Sequence, residues 1–154
     1  MHELPRGVAL VVGVNAYRGG VKPLQSAVGD AQAIAAVLED AHNYEVTLLL
    51  DEQASGQAVL AALECGSLRA MQEERPFLLY FAGHGVARGD GNDGPQGYLL
   101  PQDAQLSEPG SWLAMSTVRK ALEALPSRHL LVVLDCCFAG AFRWAATRDV
   151  IFDA

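Results

Sequence analysis

With 154 residues, 51% of them apolar, the chain is long enough for one domain with a proper core and is too apolar to be disordered. No run approaches the roughly 18 apolar residues of a membrane span, and the opening MHELPRG lacks the basic and apolar regions of a signal peptide. A cytoplasmic protein without a membrane partner is therefore expected. A net charge of −7 argues against a nucleic-acid surface and suits cationic peptide partners. Cys65, Cys136 and Cys137 have no metal-site spacing, and adjacent cysteines do not readily pair, so no disulfide framework is expected.

Val8 to Val14 (VALVVGV) is a continuous apolar run closed by Asn15 and the turn-rich YRGG, the pattern of a buried strand feeding a loop. From Leu24 to Asp40, the residues Leu24, Ala27, Val28, Ala31, Ile34, Ala35 and Leu38 follow helical spacing. Tyr44 to Leu50 (YEVTLLL) reads as the second strand. Ser55 is placed to cap a helix running to about Met71, with Val59, Leu60, Leu63 and Leu68 as its apolar face and Cys65 as inert packing. Pro76 admits the strand Phe77 to Ala82, which ends on Gly83-His84-Gly85. Val86 to Gly97 reads as a solvated loop, closed by a short strand at Tyr98 to Pro101. Ser116 is expected to cap a helix from Thr117 to Leu125, which Pro126 ends.

Leu130 to Gly140 (LLVVLDCCFAG) then reads as a fully buried parallel strand whose carboxyl end opens on a site. Alternation along an extended chain puts Asp135 and Cys137 on one face and Cys136 on the other. The order β-α-β-α-β-(hairpin)-α-β predicts one α/β domain over 1–154, a mostly parallel sheet with helices on both faces. Sites in such sheets gather outside the carboxyl ends of the strands, where His84 and Cys137 both fall.

A cysteine nucleophile needs a base, donors for an oxyanion and backbone room for substrate. His84 offers the base, and the backbone N–H groups of Gly85 and Cys137 offer the oxyanion hole. A lone His is more often a satisfied core residue, but glycines on both sides of it argue for a working one. A nucleotide-binding domain is disfavoured, because GVNAYRGG has neither the Lys of a P-loop nor the dinucleotide fingerprint.

The segments YFAGHG (80–85) and LDCCFAG (134–140) together resemble the caspase-like cysteine peptidases, in the bacterial and metacaspase branch. Their His and Cys stand about fifty residues apart, as in a caspase signature. ALVVGVNAY, PLQSAVGDAQAI and YLLPQDA resemble the large-subunit segment of the same family. The resemblance implies a three-layer caspase-like sandwich in which His84 is the general base, Cys137 the nucleophile and Gly85 an oxyanion donor. It also implies that Asp30 and Asp135 line the specificity pocket, for cleavage of protein or peptide substrates after Arg, then Lys. Two departures bear on the pocket: Phe138 follows the nucleophile where many metacaspases carry His, and Ala82 stands where they often have Ser.

The family's sheet has further strands after the Cys. The resemblance therefore implies a small-subunit fragment or downstream domain as partner, with about 141–154 as a linker or activation-loop start. Arg143 and Arg148 are the candidate processing sites there. No cofactor is expected; some members bind calcium, and Asp90, Asp93 and Asp103 are the oxygen ligands on offer, although DGNDG is also the pattern of a turn. The competing expectation is a catalytically silent caspase-like module for protein interaction. Keeping His84, Gly85, Asp135 and Cys137 together argues against it.

Overall fold

The computed structural model describes residues 5–89 and 96–136. Four strands, β1 (Gly7–Gly13), β2 (Tyr44–Leu50), β3 (Phe77–Ala82) and β7 (Leu130–Asp135), form one parallel sheet in the order β2-β1-β3-β7. The continuous apolar runs of β1 and β3 follow from that order, because central strands covered on both faces cannot alternate with polar residues. Both are buried throughout.

Helix α1 (Ala27–His42) covers one face, meeting Ala9, Val11, Leu78 and Tyr80 through Ala27, Ala31, Ala35 and Leu38. Helices α2 (Gly56–Gln72) and α3 (Met115–Leu122) cover the other, where Leu10, Val12, Phe77, Leu79 and Phe81 pack with Val59, Leu63, Val118 and Leu122. This is the α/β sandwich that the strand and helix pattern predicts.

A second, three-stranded antiparallel sheet, β4 (Gly85–Arg88), β5 (Gln96–Leu99) and β6 (Leu113–Ala114), follows β3. Val86 to Arg88 is thus strand, where the glycine-rich composition suggested loop, and the closing strand lies slightly earlier than Tyr98 to Pro101.

Other expectations also need correction. Strand β7 is not fully buried: only Val132 is, and Leu131 is 46% exposed, because among the described residues β7 has a neighbour on one side only. Ser55 does cap α2, accepting the Ala58 N–H at 3.2 Å. Ser116 caps nothing, since α3 begins at Met115, two residues before Thr117, and it ends at Leu122 rather than Leu125. Cys65 and Leu68 are exposed, so neither is packed as the sequence suggested. Among the described residues no helix is long and apolar enough to cross a membrane.

The amino end of the sheet is held by ions. Arg75, a buried residue, donates to the Arg6 and Gly7 carbonyls and to Glu73 at 2.6 Å and Glu45 at 3.1 Å, and Arg69 also pairs with Glu45. Hydrogen bonds from Arg69 and then Arg75 hold the Glu45 carboxyl down at about 2. A carboxyl depressed on folding stabilises the fold above its unfolded value of 4.5 and loses that contribution as pH falls toward about 2. Glu45→Gln should therefore lower Tm at pH 7, with the gap from the unsubstituted protein closing between about pH 5 and pH 2. Thermal melts across that range test this; a gap that stays constant with pH would remove Glu45 from the ionic account.

Candidate active site

Parallel register sets the carboxyl ends level: Gly13 pairs with Ala82, and Ala82 with Asp135. The loops leaving β1, β3 and β7 therefore start side by side, and the Gly83 N–H ties two of them by donating to the Asp135 carbonyl at 3.3 Å.

The loop after β1 is built on Asn15. Its Oδ1 accepts the Val28 N–H at 3.2 Å, supplying α1 with the capping acceptor that the Ser26 side chain does not provide. Its carbonyl accepts the Leu24 N–H at 2.9 Å. From behind, Asp51 Oδ1 accepts both the Asn15 N–H at 2.8 Å and the Ala16 N–H at 2.9 Å. Asp51 does so from a left-handed backbone (φ 45), which Asp tolerates better than most residues.

His84, half-exposed at the end of β3, is held by that loop. Its Nε2 lies 2.7 Å from the Lys22 carbonyl. A carbonyl only accepts, so Nε2 carries the proton and Nδ1 of the neutral ring is left as the basic nitrogen. The backbone N–H of His84 donates to the Tyr17 hydroxyl at 2.8 Å, and the two rings lie 5.2 Å apart, tilted by 49°. The Leu100 N–H donates to the His84 carbonyl at 2.9 Å. That makes the next pair, Gly85 with Leu99, one of the pairs that exchange no hydrogen bonds, so the β4–β5 ladder does not consume the Gly85 N–H.

The acids meet on the α1 face. The Tyr80 hydroxyl donates to Asp135 Oδ2 at 3.2 Å. Burial, then the charges of Asp135 and Asp30, raise the Tyr80 phenol well above its ordinary range, so it stays a donor. Asp30 lies in the first turn of α1 and, like Asp135, is exposed. One neutral hydroxyl, bonded to one carboxylate and within electrostatic reach of a second, thus stands at a solvent-open strand end. Cys136 packs on the opposite, α2 and α3, side, where Tyr17 also packs. The alternation expected for Asp135 and Cys136 is what the structure has.

Some sequence candidates fall elsewhere. Cys137, Phe138, Asp90, Asp93, Arg143, Arg148 and the stretch 141–154 lie outside the described residues. Asp103 is engaged at the start of α2, its Oδ1 accepting the Gly56 N–H at 2.8 Å. Among the described residues no group of three or more His, Cys, Asp or Glu is placed to hold a metal ion. Sequence reasoning missed Asn15, Tyr17, Asp51 and Tyr80. Tyr80 alone had a local signal, sitting on a strand two residues before Ala82 with its side chain on the same face.

A family model described as the caspase domain matches residues 6–150. No curated protein matches the chain. A crystal structure of a protein from Geobacter sulfurreducens is similar, with a TM-score of 0.67 and 21% identity, over 96% of this chain and 58% of that one. At that identity the likeness is one of fold, and the chain spans little more than half of that relative's length.

Asn15→Ala should cost about 1 kcal/mol of stability, the usual loss for a helix cap, because α1 loses the acceptor for the Val28 N–H. Asn15→Asp, which keeps that acceptor, should retain most of it. Urea unfolding of both variants decides; equal losses would show that the acceptor is not what matters.

Proposed function

Because the chain belongs to the caspase-domain family of cysteine peptidases, we propose that it is an endopeptidase that cuts protein chains after Arg, and less readily after Lys, with His84 and Cys137 as its dyad. The observation that carries this reading is the Lys22 carbonyl 2.7 Å from His84 Nε2, a contact that supports Nε2 as the protonated nitrogen and Nδ1 as the one left to act as a base.

In the proposed reaction His84 Nδ1 takes the proton of the Cys137 thiol, and the thiolate sulfur attacks the carbonyl carbon of the scissile bond. The oxyanion is received by the N–H groups of Gly85 and Cys137. Collapse of the tetrahedral intermediate breaks the C–N bond, and the imidazolium gives its proton to the leaving amine. Water then attacks the thioester with His84 as base, releasing the carboxylic acid and restoring the thiol.

The nucleophile is assigned to Cys137 on the strength of alternation. Cys136 is turned toward the α2 and α3 core, away from Asp135 and the side on which the sequence pattern and the family resemblance put the nucleophile. The preference for a basic residue rests on Asp135, bonded to the Tyr80 hydroxyl, and on Asp30 within electrostatic reach of it. A guanidinium gains more than an ammonium from paired carboxylates, and a substrate Asp would meet like charge.

Regulation is proposed to come through a further segment. Strand β7 is an edge among the described residues and carries the half-exposed Leu131, which supports a pairing partner there. Turnover of an Arg reporter by residues 1–154 should be weak alone and should rise when a small-subunit segment of a caspase-family protein is supplied. Equal turnover in both cases would sink the partner.

For the chemistry, an Arg-directed electrophile should label Cys137, with Cys137→Ala inactive and Cys136→Ala active. Asp135→Asn should lower kcat/KM on the Arg reporter by about fivefold, on the order of 1 kcal/mol and the upper end for an exposed charge pair, because Asp135 is solvent-exposed. An adduct on Cys136 would move the nucleophile. Intact Arg cleavage in Asp135→Asn, or preference for an Asp reporter, would defeat the basic-pocket reading. A protein that neither labels nor cleaves would instead be the silent interaction module.

A further inference from the structure

We propose that Tyr17 is a positioning residue of the site, its hydroxyl fixing the backbone at His84 so that the imidazole keeps the tautomer and direction that the reaction needs. This rests on the peptidase reading, but the geometry behind it stands without it.

The Tyr17 hydroxyl accepts the His84 N–H at 2.8 Å and donates to the Leu100 carbonyl at 3.1 Å. The Leu100 N–H donates in turn to the His84 carbonyl at 2.9 Å. Both backbone polar groups of His84 are therefore fixed in one closed circuit, and the circuit passes through a side chain. A phenol can close it only while it both accepts and donates, that is, while neutral. Burial, opposed by the His84 N–H and assisted by Cys136 and Asp51, pushes the Tyr17 phenol up to about 12, so it is neutral at any ordinary pH.

The same loop that carries Tyr17 also carries Lys22, whose carbonyl holds His84 Nε2. One loop thus grips the histidine twice, at its backbone through Tyr17 and at its ring through Lys22. That loop is itself anchored: the Arg18 N–H donates to the Gln102 carbonyl at 3.4 Å, the Gln102 side chain to the Ala16 carbonyl at 3.1 Å, and the Leu106 N–H to the Gly19 carbonyl at 2.9 Å. These three bonds tie the residues on both sides of Tyr17 to the segment after Leu100.

Gly83 has its explanation here. A Cβ on Gly83 would stand 2.7 Å from the Tyr17 hydroxyl and 3.0 Å from the Phe81 ring. The glycine before His84 is the room that lets the hydroxyl reach the His84 N–H. If Tyr17 were only a packing aromatic, its ring alone would serve and that room would be unnecessary.

Tyr17→Phe keeps the ring and removes the circuit, leaving the part-buried His84 N–H without its acceptor. Leaving such a donor unsatisfied typically costs between about fivefold and about a hundredfold in an equilibrium constant. We expect kcat on an Arg reporter to fall within that range with KM changed less than twofold, measured in the natural full-length protein. The second readout is independent of turnover. Nitrogen NMR of the neutral His84 ring should report the Nε2–H tautomer in the unsubstituted protein and a mixture in Tyr17→Phe, with exchange of the His84 amide hydrogen at least about tenfold faster. A variant with the original ring-nitrogen spectrum and amide exchange overturns the proposal, whatever its turnover. So does a variant whose spectrum shifts while kcat holds, or whose loss lies in KM alone. If the unsubstituted protein has no peptidase activity, the peptidase reading fails and the spectrum alone decides whether Tyr17 positions His84.

Discussion

The site depends on one row of paired residues: Leu50, Gly13, Ala82 and Asp135 stand abreast across the four parallel strands. A slip of one residue in any pairing would turn every side chain of that strand to the opposite face. Asp135 would leave Tyr80, and the loop after β1 would no longer sit level with the His84 turn. The apolar faces that α1, α2 and α3 bury on β1 and β3 penalise any such slip, so the core energetics and the site geometry are enforced by the same contacts.

Small residues in that row decide how closely α1 approaches. A Cβ on Gly13 would stand 2.6 Å from the Ala31 Cβ and 2.8 Å from the Ala27 carbonyl, so glycine is what allows the helix to rest on the sheet there. Ala27 and Ala82 keep the same region shallow on either side. The first turn of α1 is thereby brought down beside β3, and Asp30 comes close enough to act on the Tyr80 phenol.

Much of this was legible because it is periodic. Continuous apolar runs gave β1 and β3, helical spacing gave α1 and most of α2, and alternation along β7 separated Asp135 from Cys136. What stayed hidden is non-local. Whether β7 is central or an edge depends on what pairs with it, which its own composition does not record; LLVVL reads the same in both places. Tyr17 meets its partners 67 and 83 residues along the chain, so no window of sequence contains the circuit. Asn15 and Asp51 were overlooked for the same reason: the cap of α1 lies thirteen residues before the N–H it satisfies, and Asp51 reaches back 36. Ser116 was misread because a Ser near a helix start is a common signal, and only tertiary packing set the start at Met115. The resemblance to a known family supplied the pocket roles expected of Asp30 and Asp135, whereas His84 was already marked as a base by its place at a strand end and the glycines beside it.

The glycines around His84 show how one residue type carries two physical meanings. From sequence, side-chain-free neighbours on both sides suggested that packing had no use for them and that a ligand did. For Gly83 that inference fails, because the missing Cβ is space occupied by the Tyr17 hydroxyl and the Phe81 ring. For Gly85 it holds in a different form: the pairing with Leu99 leaves its N–H directed away from the ladder, and the absence of a side chain leaves that N–H uncovered. One glycine makes room for the group that orients the histidine, and the other leaves a donor beside it. Because the two lie on either side of His84, a single turn of backbone carries an imidazole held at Nε2 and, next to it, an N–H that the ladder leaves unused.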